Sequence, residues 1–167
     1  MSQPGRSPLL SDEVVDLLGS GGDYYVATRD AELNPESMFG AGIWAHSDRA
    51  RITVYLPSEP PVLAAKTLEN LALNQHIAVT VSLPTSMRTV QLKGLAIDVR
   101  PGGARDRERQ LACRAAMVEQ LAFVGVPRSA TRRLVWWPST AVEVLVHDIF
   151  AQTPGPNAGQ RIAGRTM

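Results

Sequence analysis

Residues 88–99, Arg88-Thr89-Val90-Gln91-Leu92-Lys93-Gly94-Leu95-Ala96-Ile97-Asp98-Val99, constrain the fold more than any other stretch of the chain. They read as one long strand interrupted by a glycine. Val90 and Leu92 share one face, and Thr89, Gln91 and Lys93 share the other. Beyond Gly94 the second face turns apolar, with Leu95, Ile97 and Val99. A polar face that becomes apolar at a glycine describes a strand passing from a wet site into a packed sheet. A glycine inside a strand marks a bulge, a barrel corner or a close backbone approach. The polar half places hydrogen-bonding groups on a rigid element, which suits a ligand site.

The rest of the chain supplies partners for such a strand. Strands are expected at Tyr24–Thr28, Met38–His46, Arg51–Leu56, His76–Leu83 and Ala141–Phe150, which with the Arg88–Val99 strand makes six. Helices are expected at Leu9–Leu18, capped by Ser11, at the stretch from Pro60-Pro61 to Asn74, and at Ala104–Phe123, with a further turn in Pro127–Leu134. The apolar stripe of the second helix is Ala64, Leu68, Leu71 and Ala72; that of the third is Leu111, Ala115, Val118 and Ala122. Gly19-Ser20-Gly21-Gly22 follows a helix and precedes a strand, the reverse of a phosphate loop, and reads as a helix stop. Clustered hairpin-like strands point to an antiparallel barrel. The expectation is one mainly β (α+β) domain over residues 1–167, with irregular tails at 1–8 and 152–167.

Seventeen Lys and Arg against sixteen Asp and Glu leave a net charge of +1, which gives no electrostatic case for nucleic acid or an anionic membrane. Only Lys66 and Lys93 are lysines. The single cysteine, Cys113, excludes an internal disulfide and falls in a helical pattern, where it packs. No apolar run is long enough to span a bilayer, and Met1–Pro8 is unlike a signal peptide, so a cytoplasmic protein is expected.

Few residue patterns carry chemistry. Gly40 and Gly42 fall on one strand face and leave a flat backbone shelf; a planar ring could lie there, but close packing by a neighbouring element is the favoured explanation. His46, His76 and His147 lie on three separate strands without ligand spacing, so no metal site is expected. The arginines from Arg100 to Arg114 alternate with Asp106 and Glu108 as on a solvated helix face. Trp136-Trp137 suits either a ligand wall or core plus interface, the latter favoured.

Three segments together resemble the pyridoxamine 5'-phosphate oxidase-like, FMN-binding split-barrel family. They are Tyr25-Val26-Ala27-Thr28 with the turn at Pro35, the Lys66–Val81 helix-strand unit containing Leu71-Ala72-Leu73-Asn74-Gln75-His76, and Arg88-Thr89-Val90-Gln91-Leu92-Lys93-Gly94. The resemblance spans about Asp23 to Val99. It implies a six-stranded antiparallel split β-barrel with flanking helices, a homodimer, and FMN in the groove between subunits. It implies FMN-dependent oxidoreductase or oxidase-like activity on a small molecule, or, as the alternative, a non-enzymatic binder of haem or another flat ligand. The cofactor residues it implies are Lys66, Thr67, Arg88, Thr89 and Gln91, with the Gly40–Gly42 shelf; Lys93 could add charge. The family's second-strand arginine falls at Met38 and its helix-start lysine at Thr67, one place after Lys66. No catalytic side chain is implied, and the C-terminal arginine motif of the vitamin B6 oxidases has no counterpart in the tail. Trp44, Trp136 and Trp137 are candidate interface anchors.

Overall fold

The computed structural model describes residues 9–134 and 136–164; the expected irregular segment Met1–Pro8 lies outside them. Helix α1 (Asp12–Gly19) starts where the Ser11 hydroxyl accepts from the Val14 N–H and ends at the glycine cluster. Strands β1 (Asp23–Arg29), β2 (Pro35–Phe39), β3 (Gly42–Ala45) and β4 (Arg51–Pro57) follow, then helix α2 (Val62–Asn74), β5 (His76–Ser82) and β6 (Thr89–Pro101). Helices α3 (Ala104–Phe123) and α4 (Arg128–Thr131) lead into β7 (Ser139–Ala151) and β8 (Arg161–Gly164).

Every strand pairing is antiparallel, and the sheet runs β2-β1-β5-β6-β7-β4-β3, with β8 added to β7. The chain is a mainly β split barrel. The inner faces of its strands, among them Val26, Val54, Val79, Leu92, Val144 and Ile149, form one core with α1. Six strands become eight for two reasons. The expected Met38–His46 strand divides at Gly40-Ala41 into β2 and β3, which lie at opposite ends of the sheet. The tail, expected to be irregular, folds back after the Pro154–Gly159 turn and pairs with β7 as β8, where Arg161 meets Asp148.

Both helix stripes differ from expectation. Helix α2 buries Ala64, Thr67, Asn70 and Leu71, and leaves Ala72 exposed. Helix α3 buries Asp106, Gln110, Cys113 and Met117, and turns Leu111 outward at 46% exposure. The cause is polar pairing, which hydropathy does not register. Asn70 donates to the Thr28 hydroxyl at 3.1 Å, and Gln110 donates to the Ser139 hydroxyl at 2.8 Å. Asp106 accepts from Arg100 at 2.6 and 3.2 Å, from the Gly103 N–H at 2.9 Å and from the Tyr55 hydroxyl at 3.1 Å. It is therefore the anchor of α3 on the sheet, not part of a solvated face.

Burial pushes the Asp106 carboxyl up, but the Arg100 guanidinium, the Gly103 N–H and the Tyr55 hydroxyl outweigh it and hold the group at about 2, below the ordinary 3.8. A carboxyl held low in the native state stabilises the fold above its unfolded value, and that stabilisation disappears as pH falls through the native value. Asp106 should contribute about 2 kcal/mol at neutral pH, lost between about pH 4 and pH 2. Urea unfolding of Asp106→Asn should show that loss at pH 7 and a shallower decline than wild type across the acid window; parallel pH curves for the two proteins would remove Asp106 from this role.

Candidate functional site

The outer face of the sheet carries a cleft of about 480 Å³ across β1, β5, β6 and β7. Its floor is built by alternation. The core-facing residues Val26, Ile77, Val79 and Leu92 are buried, so Ala27, Ala78 and Lys93 point the other way. Register sets them side by side, with Ala27 opposite Ala78, Ala78 opposite Lys93, and Lys93 opposite Asp148. Two alanines in adjacent strands leave the depression, and Arg29, His76, Lys93 and His147 surround it.

Two local devices fix this geometry. The first is a β-bulge. Lys93 pairs with Asp148 but Gly94 pairs with Val146, so His147 is the extra residue of β7. Val146 and Ile149 both point into the core, and His147 and Asp148 between them both face outward. A side chain at Gly94 would run into the Leu145 carbonyl, so glycine is required where the strands approach at the bulge. The second device is Asn74, the last residue of α2. Its amide donates to the Arg29 carbonyl at 2.7 Å and its carbonyl oxygen accepts from the His76 N–H at 3.0 Å, which ties the end of β1 to the start of β5. Lys93 extends over the Phe150 ring with its ammonium 4.9 Å from the centroid.

The sequence-derived candidates are scattered over this architecture. Lys66 is exposed on α2 and pairs with Glu69 at 3.2 Å. Thr67 is 1% exposed beneath α2, and its hydroxyl has no partner among the described residues. Arg88 pairs with Glu13 of α1 at 2.8 Å. The Thr89 hydroxyl is engaged with Ser82 at 2.8 Å and the Met87 carbonyl at 3.0 Å. Gln91 lies on the cleft face, one outward position before Lys93, and donates to Thr80 at 3.3 Å. Gly40 packs on Tyr24, and a Cβ at Gly42 would stand 3.3 Å from the Cβ of Cys113. The void beside Gly40 is about 10 Å³, so the packing explanation describes both glycines. Of these candidates only Gln91 neighbours the cleft; of the residues named for charge, Lys93 lines it.

The apolar residues beyond Gly94 do not enter a packed sheet. A second bulge leaves Ile97 without a partner, and β5 has begun only at His76, opposite Leu95, so β7 alone flanks β6 from there. Ile97 and Val99 are each 46% exposed. Trp44 is half-exposed beneath the Arg109 guanidinium, 4.3 Å away, and Trp136 and Trp137 lie 6.3 Å apart beside Arg107. Burial raises the Cys113 thiol above its ordinary value, which leaves it protonated against the Ile43 carbonyl and unsuited to nucleophilic chemistry. His46 binds the Thr53 hydroxyl at 2.8 Å and is lowered by burial. Among the described residues no three His, Cys, Asp or Glu side chains converge as a metal site, and no helix is long and apolar enough to cross a membrane.

No family model and no curated protein matches the chain in sequence. Solved structures do match in shape. An FMN-binding protein from Syntrophomonas wolfei superposes with a TM-score of 0.55 at 12% identity, covering 84% of each chain. A candidate pyridoxamine 5'-phosphate oxidase from Lactobacillus delbrueckii gives 0.54 at 17%, over 86% of this chain and 94% of that one. HupZ from Group A Streptococcus gives 0.54 at 18%, over 90% of this chain and all of that one (100%). The chain has the split-barrel fold of the pyridoxamine 5'-phosphate oxidase-like proteins.

The bulge is directly testable. Gly94→Ala should lower stability by about 2 kcal/mol or more, a fall in melting temperature of roughly 4–8 °C. Gly19→Ala, where nothing lies within 4 Å of the added carbon, should stay within about 0.5 kcal/mol of wild type. Equal melting temperatures for the two variants would exclude the close approach at Gly94.

Proposed function

We propose that the chain binds a flat cofactor of the FMN type in the outer-face cleft. The observation that carries this reading is the cleft itself. Its volume falls in the range of small-molecule sites, its floor is the small apolar pair Ala27 and Ala78, and its rim is polar and basic. The residues present fit such a group. A ring system can lie along the alanines, with Leu95 at one end and the Gln91–Thr80 pair next to the other. FMN, when bound, supplies redox chemistry, and the protein contributes binding, orientation and hydrogen bonds. Support from the fold is consistent with this, since one structural neighbour is an FMN-binding protein. Addition of FMN should quench flavin fluorescence and raise the melting temperature. The absence of both effects with excess FMN would end the flavin reading.

A second reading is favoured by one specific observation: two imidazoles, His76 and His147, line the same cleft. Imidazole is a haem-iron ligand, so a haem binder on this scaffold is the alternative. A Soret shift on adding haemin, lost in His147→Ala, would select it over FMN.

We also propose a homodimer built on the uncovered outer face. Ile97 and Val99 stand exposed on the half of β6 that β7 alone flanks, and two-fold pairing is the commonest way to cover such a surface. Light scattering at micromolar concentration should give about twice the 18.1 kDa of one chain. Ile97→Asp with Val99→Asp should give a folded monomer; a monomeric wild type would exclude the dimer.

A further inference from the structure

We infer that the corner between α3 and α4 is a docking surface for an anionic lipid bilayer, with Phe123 and Val124 entering the headgroup region and Arg132 and Arg133 meeting its phosphates.

The near-neutral net charge conceals a segregated distribution. Residues 100–137 hold eight arginines against three carboxylates, and no acidic residue occurs between Glu119 and Glu143. Of those three carboxylates, Asp106 pairs with Arg100 and Glu119 with Arg128. Backbone bonds fix the corner. Gly125 adopts φ +92°, its N–H donates to the Ala122 carbonyl at 3.1 Å, and the Val126 N–H donates to the Leu121 carbonyl at 2.9 Å. Arg128 forks onto Glu119 across this turn. The turn leaves Phe123 82% exposed, more than any other large apolar side chain among the described residues, with Val124 and Leu134 also exposed. Arg132 and Arg133 follow, exposed and without a carboxylate partner among the described residues. The chain then returns along α3. Arg114 donates to the Thr131 and Leu134 carbonyls at 2.9 and 3.1 Å, with its guanidinium 5.7 Å from the Trp136 ring. The Arg107 guanidinium stands 5.9 Å from the Trp137 ring. Projecting apolar side chains, free cations and half-buried indoles together are the chemistry of an anionic membrane interface. A nucleic acid would use the cations and leave Phe123 and Val124 in water. A second copy would have to bring carboxylates to this face, a head-to-tail contact that gives no closed pair. None of these residues lines the cleft, so the inference stands apart from the cofactor reading.

The full chain would be floated with vesicles of phosphatidylcholine alone, and of phosphatidylcholine with about one third phosphatidylglycerol. It should rise with the anionic vesicles only, and high salt should weaken the binding. Phe123→Ser and, separately, Arg132→Gln with Arg133→Gln should each weaken it about tenfold or more. All three side chains are exposed, so both variants should keep the wild-type melting temperature. Wild type that stays unbound, or that binds both vesicles equally, overturns the inference. So does unchanged binding by either folded variant. Retention of a single-stranded oligonucleotide, insensitive to Phe123→Ser and without vesicle binding, would make the face a nucleic-acid surface instead. A Phe123→Ser chain of lower mass than wild type by light scattering, without vesicle binding by the wild type, would make it a contact between copies.

Discussion

Two backbone hydrogen bonds hold the two ends of this sheet together. The Gly40 N–H donates to the Tyr24 carbonyl of β1 and the Ala41 N–H to the Tyr55 carbonyl of β4, each at 2.7 Å. Adjacent residues thereby bond to strands that stand on opposite sides of the sheet order. The chain leaves one edge as β2 and joins the other as β3 within two residues, and the sheet must curl for this to happen. The local sequence permits it. Gly40 lets the backbone settle against the Tyr24 side chain, and Gly42 adopts φ +148°, a conformation that costs a side-chain-bearing residue energy. Once the sheet is curled, its inner face is core and its outer face is divided. Helix α3 covers the β3–β4 side through Asp106, Gln110 and Cys113, and the β1-β5-β6-β7 side keeps its cleft.

That division explains why polar residues sit where a hydropathy pattern would not put them. The α3 face with Asp106 and Gln110 is buried because β4, β6 and the start of β7 offer it Tyr55, Arg100 and Ser139. Asp106 draws on three separate donors, so its burial rests on the set of partners and not on a single bond. The competing stripe through Leu111 and Ala115 has the better periodicity and no such partners. The Asp106 and Gln110 hydrogen bonds, together with the packing of Cys113 and Met117, turn this side of the helix inward, although the Gln110 Oε1 finds no partner among the described residues.

Much of this architecture was legible in the residues. Helix α3 has the expected bounds, β1, β4, β5 and β7 differ at their ends by a residue or two, and the antiparallel barrel follows from their order. Gly94 was legible as a place of close approach. What it does there was not, because a bulge shows only when the partner strand is known. His147 and Asp148 can both face outward only because the phase of β7 changes between Val146 and Ile149. Alternation alone assigns one of them to the core. Arg29 and His76 were within reach of the same alternation that placed Ile77 and Val79 inward, but nothing local says that β1 and β5 are neighbours. The glycines at 40 and 42 carried the opposite ambiguity: a shelf for a ring and a seat for a helix need the same missing side chains, and the packing of Tyr24 and Cys113 decides between them.

The cleft also has an energetic asymmetry. Gathering Arg29 and Lys93 on one surface, with Asp148 turned to Arg161, sets like charges on the same face. At the surface this repulsion is modest and screened by salt, so the fold tolerates it. It is nonetheless a term that works against folding. Packing explains Gly94, the bulge and the alanine floor as features of a well-made sheet. It does not explain why four neighbouring strands each bring a nitrogen-bearing side chain, Arg29, His76, Lys93 and His147, to the depression they enclose.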